Sequence, residues 1–350
     1  MKAFIIEKPG VLRETDLPKP APGPRDVVSR VVYSGVCGTD IGLLTGGVSF
    51  AKDGTAKYPI SVGHEWSGVV ESVGSKVTRF KPGDRVVSDN GVSCGECSVC
   101  LAGDIYRCPH GRSLGTVNAW HYGSFAEYIL MPERHMFHLD GSVSFEQGAL
   151  IEPATIAYAA AEALDIGKGD TVLVTGTGAV GMSAAALAKI FGADKVVIAG
   201  RSEKKLGIGL KIGADAAVNT SENKMPAAFF NASGEKKASK IIEASGSADA
   251  LDRALDCAAF KCRVAMLGFY EGKINDSFVL DRIVLNNLTL TGITGAPRVP
   301  QVMSLMASGR LNLEPLVTHI FPAKKTAEAF AAAQNNFDGK IKILVKMTDG

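Results

Sequence analysis

The hydrophobic rhythm of the chain changes near its middle. In the first part, apolar positions come in short β-rich runs, 27–32, 68–73 and 85–88, set between Gly- and Pro-containing turns. From about Glu152, Ala-rich stretches with helical spacing, 154–164 and 180–191, alternate with strand-length apolar runs at 171–175, 195–199, 240–243 and 263–267. Strands that alternate with helices predict a parallel sheet covered on both faces. After Gly292 the pattern loosens, and 341–346 predicts a closing strand. No internal repeat or low-complexity segment interrupts this order. The predicted plan is one β-rich domain made by 1–153 and 292–350, with an α/β domain, 154–291, set between them.

Composition narrows this picture. At 350 residues the chain can build two cores, and 46% hydrophobic with 21% charged residues is ordinary for a globular protein. A net charge of +2 is too close to balance to make nucleic acid or an anionic membrane the main partner. The first residues offer only a four-residue apolar stretch before Glu7, and no run is long enough to cross a bilayer. A cytoplasmic protein with reduced thiols is expected.

Four of the seven cysteines, Cys94, Cys97, Cys100 and Cys108, share one short stretch with the spacing C-x2-C-x2-C-x7-C. Zinc binds thiolates tetrahedrally, and four of them leave no position for a substrate, so the cluster reads as a structural site. Disulfides fit poorly with an odd cysteine count and no export signal. Ferredoxin-type spacing continues x3-C-P, whereas seven residues precede Cys108-Pro109 here.

The run 171–175 leads straight into Gly176-Thr177-Gly178-Ala179-Val180-Gly181 and an Ala-rich helix. In that context the glycines have a physical purpose: a tight turn at Gly176, backbone approach to a pyrophosphate at Gly178, and helix-to-strand contact at Gly181. The next strand ends at Gly200-Arg201-Ser202, where an NAD site carries an acid for the ribose 2′-hydroxyl. No acid stands there. Gly200 leaves room, Arg201 can fork onto a phosphate, and Lys204 and Lys205 follow, although Glu203 offsets some of their charge. NADP(H) is therefore favoured over NAD(H); an ordinary solvated helix start would carry similar charges. Leu267 and Phe269, at and just past the end of 263–267, complete the expected cofactor residues.

Cys37-Gly38-Thr39-Asp40 and Gly63-His64-Glu65 hold the remaining plausible metal ligands. A catalytic zinc takes about three protein ligands and keeps one position open. Cys37 offers a thiolate and His64 an imidazole; the carboxylate comes from Glu65, or from Glu152 before Pro153. These boxes, with Gly68, Gly74 and Val77 after the histidine, the four-cysteine lobe, Gly123-Ser124-Phe125-Ala126-Glu127-Tyr128 and the late Rossmann motif, resemble the zinc-dependent medium-chain alcohol/polyol dehydrogenases, sorbitol dehydrogenase-like members in particular. The likeness covers essentially the whole chain. It implies an α/β protein with a GroES-like, partly β-barrel catalytic domain and a Rossmann doubly wound parallel sheet. The nicotinamide would lie beside zinc in the cleft between them.

The same likeness implies roles. Cys37 and His64 resemble the first two zinc ligands, and Glu152 stands where sorbitol- and threonine-type dehydrogenases have Glu-Pro. Glu65 is similar to the glutamate behind the metal that can exchange with water. Asp40 matches the carboxylate that orients the imidazole, and Thr39 the hydroxyl that passes the substrate proton toward solvent. Two zinc ions per chain, a small alcohol or ketone substrate and a homodimer or homotetramer follow from the family. Asn118, Trp120 and His121 are candidate substrate contacts, with surface-loop packing as the plain alternative. A polyol or cyclitol substrate is favoured, against threonine-type or simple secondary-alcohol oxidation. A zinc-free quinone reductase would not need Cys37, His64 and Glu152 together. A nucleic-acid-binding zinc ribbon would carry a basic, aromatic-interleaved stripe that is missing around the lobe.

Overall fold

The computed structural model describes residues 1–270, 280–294, 298–335 and 339–348. A seven-stranded sheet forms the first domain. Its order runs Met136–His138, Arg85–Ser88, Glu65–Val73, Asp26–Gly35, Lys342–Lys346, Val317–Pro322, and Tyr128–Pro132 pairs with the first half of Asp26–Gly35. Strands from the N-terminal part of the chain, through His138, and from its C-terminal part therefore share one sheet. A smaller sheet, Val11–Asp16, Lys2–Lys8 and Ile60–Ser61, completes the β-rich half around Trp66, Phe125 and Phe330.

The second domain is a six-stranded parallel sheet. Its order is Ala216–Asn219, Lys195–Gly200, Thr171–Thr175, Ala238–Glu243, Ala258–Met266, Thr289–Gly292. The first strand in sequence, Thr171–Thr175, lies at the centre, and the order reverses between it and Ala238–Glu243. Ligands of doubly wound sheets bind at the carboxyl ends of the strands beside such a reversal.

Two boundaries differ from the sequence expectation. The helix expected to begin at 154 spans Ile151–Ala163 and includes Pro153. A proline in a first turn costs nothing, because the N–H it lacks would have had no partner there. Glu152 is thereby carried in the first turn. The chain also rejoins the first sheet at Val317, not at 292, since helix Val299–Ala307 still packs Val299, Val302 and Met306 into the core that holds Ala154 and Val172.

Candidate metal centre and cofactor cleft

The cysteine lobe is built by local backbone. Cys97 precedes the one-turn helix Ser98–Leu101, and the N–H groups of Cys94 and Cys97 point at Cys108 Sγ and Cys94 Sγ, each at 3.4 Å. Backbone donation of this kind, from Glu96 and Cys97, pulls the Cys94 thiol down to about 6. The Sγ atoms of Cys94 and Cys108 lie 3.5 Å apart, those of Cys94 and Cys100 3.8 Å, and those of Cys97 and Cys108 3.9 Å. Four thiolates about 2.3 Å from one zinc would sit about 3.8 Å apart, so these separations fit a single tetrahedral ion. All seven cysteines are free thiols.

A second group brings together Cys37, His64 and Glu65, whose ligand atoms lie within 4.8 Å of one another. Cys37 caps helix Gly38–Thr45, and its N–H donates to Asp40 Oδ2 at 2.9 Å. The other Asp40 oxygen faces His64 Nδ1 at 3.8 Å, and both atoms are buried without a hydrogen-bond partner. Burial pushes the Asp40 carboxyl up to about 6, although His64 opposes this. Burial by itself would lower the His64 value, but the Cys37 thiolate, Asp40 and Glu152 outweigh it and hold it well above the ordinary range. A buried imidazole facing a thiolate and carboxylates is the donor set that suits zinc, and Asp40 stands where it can orient the ring.

Glu152 falls outside that three-residue group. Asn90 Nδ2 donates to its Oε1 at 3.1 Å, and burial raises the carboxyl to about 7. Glu65 is held instead by Lys342, which is buried, forms an ion pair with it and also donates to Val36 O at 3.2 Å. Lys342 and Asn90 were not anticipated from the sequence. The signal for Lys342 is a cation between Ile341 and Ile343 in an otherwise apolar strand-length stretch; Asn90 gives none. Beside Glu152 opens a cavity of about 130 Å³ whose lining includes Asn90, Ser93, Tyr106, Arg112 and Thr155. A larger groove of about 640 Å³, between His138 and helix Val299–Ala307, has none of the metal or cofactor candidates in its lining.

In the parallel domain, Gly176 adopts φ +106°, and a Cβ there would come within 2.8 Å of Ala244 backbone. A Cβ at Gly181 would lie 2.1 Å from Gly176 O. Gly178 caps helix Ala179–Ile190, so the first-turn N–H groups of Ala179 and Val180 open onto the carboxyl end of the sheet. Ser202 caps the next helix, Glu203–Lys211, accepting from Lys205 N. Glu203 takes a hydrogen bond from Asn219 at 2.7 Å, while the exposed Arg201 guanidinium has no hydrogen bond or ion pair among the described residues. Gly200 has a packing reason as well, because a Cβ would meet Thr177 Cγ2 at 2.4 Å. At the strand-order reversal, buried Glu243 accepts from Ser245 N at 2.8 Å and from the Tyr270 hydroxyl at 2.6 Å. Leu267 N donates to Glu243 O, and Phe269, 57% exposed, projects from this braced loop. Its ring meets Phe50 of the first domain edge-on, with centroids 5.8 Å apart.

Comparison with known proteins decides the family. Residues 23–141 match the alcohol dehydrogenase GroES-like domain and 179–308 the zinc-binding dehydrogenase domain. The chain is similar to an L-threonine 3-dehydrogenase of Saccharopolyspora erythraea, with 34% identity over 97% of this chain and 98% of that protein. The chain belongs to the zinc-dependent medium-chain alcohol/polyol dehydrogenase family. A sorbitol dehydrogenase of Halalkalibacterium halodurans is 30% identical over the full length of both chains. A crystal structure of an Escherichia coli oxidoreductase of unknown specificity, said to be involved in membrane biogenesis, superposes with a TM-score of 0.90 at 28% identity, covering 99% of each chain.

This dehydrogenase is thus an oxidoreductase that uses zinc and a nicotinamide cofactor on a small-molecule substrate. Among the described residues, no helix is long and apolar enough to cross a membrane. Thr39 lies half-buried in the first turn of the helix that Cys37 caps. Asn118 donates to Gly111 O, Trp120 packs against the first domain's core, and His121 meets the Tyr122 ring edge-on with centroids 4.2 Å apart. No hydrogen bond or ring contact among the described residues joins them to Cys37, His64 or Glu65.

Proposed function

We propose that this dehydrogenase transfers hydride between NADP(H) and a secondary hydroxyl of a polyol or cyclitol, or the matching ketose. The observation that supports the substrate class is the cavity beside Glu152, where the side chains of Asn90, Tyr106, Arg112 and Glu152 can meet the hydroxyls of a polyhydroxylated chain. Bound zinc supplies a Lewis acid to the substrate oxygen, and the nicotinamide takes or gives the hydride. Cys37, His64 and a carboxylate hold the ion, Asp40 steadies the imidazole, and Thr39 moves the substrate proton. Each chain holds two zinc ions, one in the lobe. The buried ring nitrogens of Trp120 and His121 that lack partners support a role for that loop in binding substrate. A threonine-type oxidation with NAD(H) is the second reading, favoured by the 34% identical relative. A panel of polyols, ketoses and L-threonine with each cofactor separates the two; turnover confined to threonine and NAD overturns the first.

The cofactor preference rests on Arg201. Its loss should weaken NADP(H) about ten- to a hundredfold, the worth of a charged hydrogen bond, and leave NAD(H) nearly unchanged. The specificity constants of Arg201→Ala for both cofactors measure this. Equal loss for both would refute it. A Gly200→Asp swap is a poor test, since the new side chain would collide with Thr177.

A homo-oligomer is supported by the outer strand Thr289–Gly292 and by the exposed Phe260, Leu280, Val284 and Leu285 near that end of the sheet. A cytoplasmic location accords with the free thiols.

A further inference from the structure

A short piece of chain, 89–94, links the cysteine lobe to Glu152. At one end Cys94 belongs to the lobe; near the other Asn90 holds Glu152. Between and beside them lies a buried network that neither metal group uses. Asp89 accepts from the Tyr106 hydroxyl of the lobe at 2.8 Å and faces His135 Nδ1 at 3.1 Å. Ser93 N donates to His135 Nε2 at 2.9 Å. Nε2 is therefore the acceptor, Nδ1 carries the proton, and that proton goes to Asp89. Arg134 Nε donates to Ser93 Oγ at 3.0 Å, and Leu114 N donates to Asn90 O at 2.9 Å. His135 is completely buried and Asp89 nearly so. The backbone at Asn90 is thus held between Asp89 and Ser93, with its side-chain amide donating to Glu152.

We propose that Asn90 is a positioning residue that keeps Glu152 at the margin of the catalytic ligand set. The Asp89–His135 pair at the root of the lobe sets where Asn90 stands. Glu152 is held back only while that amide is in place, so a change in the lobe alters the ligands available to the catalytic metal. This rests on the two-metal reading. Partners that orient ligands from behind are typically worth ten- to a hundredfold in metal affinity.

The test uses the full-length protein with cobalt(II) in the Cys37–His64 site, whose visible bands report the ligand set without any substrate. Asn90→Ala should shift those bands and change cobalt affinity about tenfold, with the lobe ion retained. His135→Phe should shift them in the same direction but less, and the double variant should look like Asn90→Ala alone. If His135→Phe does not fold, Tyr106→Phe removes a single lobe hydroxyl and should give the same smaller shift. Wild-type bands and affinity in Asn90→Ala would overturn the positioning role. Silent or additive remote variants would overturn the coupling. A wild type that takes no cobalt at Cys37–His64 would instead overturn the two-metal reading itself.

Discussion

The two metal groups of this chain solve opposite problems. Cys94, Cys97, Cys100 and Cys108 are close in sequence, chemically identical and steadied by their own backbone N–H groups. Cys37, His64 and Glu65 are chemically different, two of them are fully buried, and atoms beside them lack partners. The lobe can form wherever its short loop closes on an ion. The catalytic group exists only after the first sheet has brought strand Asp26–Gly35 against Glu65–Val73 and Lys342–Lys346. On the two-zinc proposal, the first cluster would contribute to folding through its metal, whereas the second would draw on folding to hold a site ready for chemistry.

The sharpest way to break this contrast is to remove one thiolate from each group. Cys100→Ser should lose one zinc and melt far below wild type, because structural zinc energy is folding energy, on the order of 10 kcal/mol in small zinc domains. Cys37→Ser should also lose one zinc and nearly all activity, yet melt close to wild type. Metal analysis and thermal melts of both variants check this. Equal melting temperatures would erase the distinction.

Next in size is Lys342→Met. It strands the buried Glu65 carboxylate without its ion-pair partner, a change that typically costs about 3–5 kcal/mol. Glu65→Gln/Lys342→Met should recover much of that loss in chemical denaturation. Thr39→Val keeps the volume and should keep the melt, while turnover falls about a hundredfold if its hydroxyl passes the proton. Unchanged turnover would remove Thr39 from the proton route.

The lobe, the glycine turn and the βα alternation were legible because each is written in adjacent residues. Cys94 to Cys108 and Gly176 to Gly181 are local spacings, and local spacing survives into structure. The carboxylate partners were not legible. Asn90 and Lys342 are meaningful only through Glu152 and Glu65, 62 and 277 residues away in the chain. Helix Val299–Ala307 teaches the same lesson: its apolar stripe shows that it packs on something, and only the fold shows that the partner is Ile151–Ala163. Gly200 reads as room for a phosphate, and in the fold a Cβ there would also press on the Thr177 side chain.

The smallest expected effect separates the two groups by pH. Without metal, burial raises Asp40 to about 6 and Glu152 to about 7, above their ordinary values of 3.8 and 4.5. Between those limits the folded state holds protons that the unfolded chain has released, so stability falls as pH rises from about 4 to about 7. His64, raised well above 6.5, acts in the same direction at higher pH, because the folded state keeps a proton that the unfolded chain loses. The lobe has the opposite sign. Cys94, lowered from 9.0 to about 6, makes the folded state carry fewer protons in that interval, so its contribution grows as pH rises through it and is lost as pH falls toward 6. Urea unfolding of metal-stripped protein at pH 5, 6 and 7 should therefore show a falling midpoint. Asp40→Asn and Glu152→Gln should each flatten that fall, and Cys94→Ser should leave its acid side unchanged. A midpoint that climbs from pH 5 to 7 in stripped wild type would mean that the buried carboxylates are already ionised and paired before metal arrives. The catalytic group would then be as self-sufficient as the lobe.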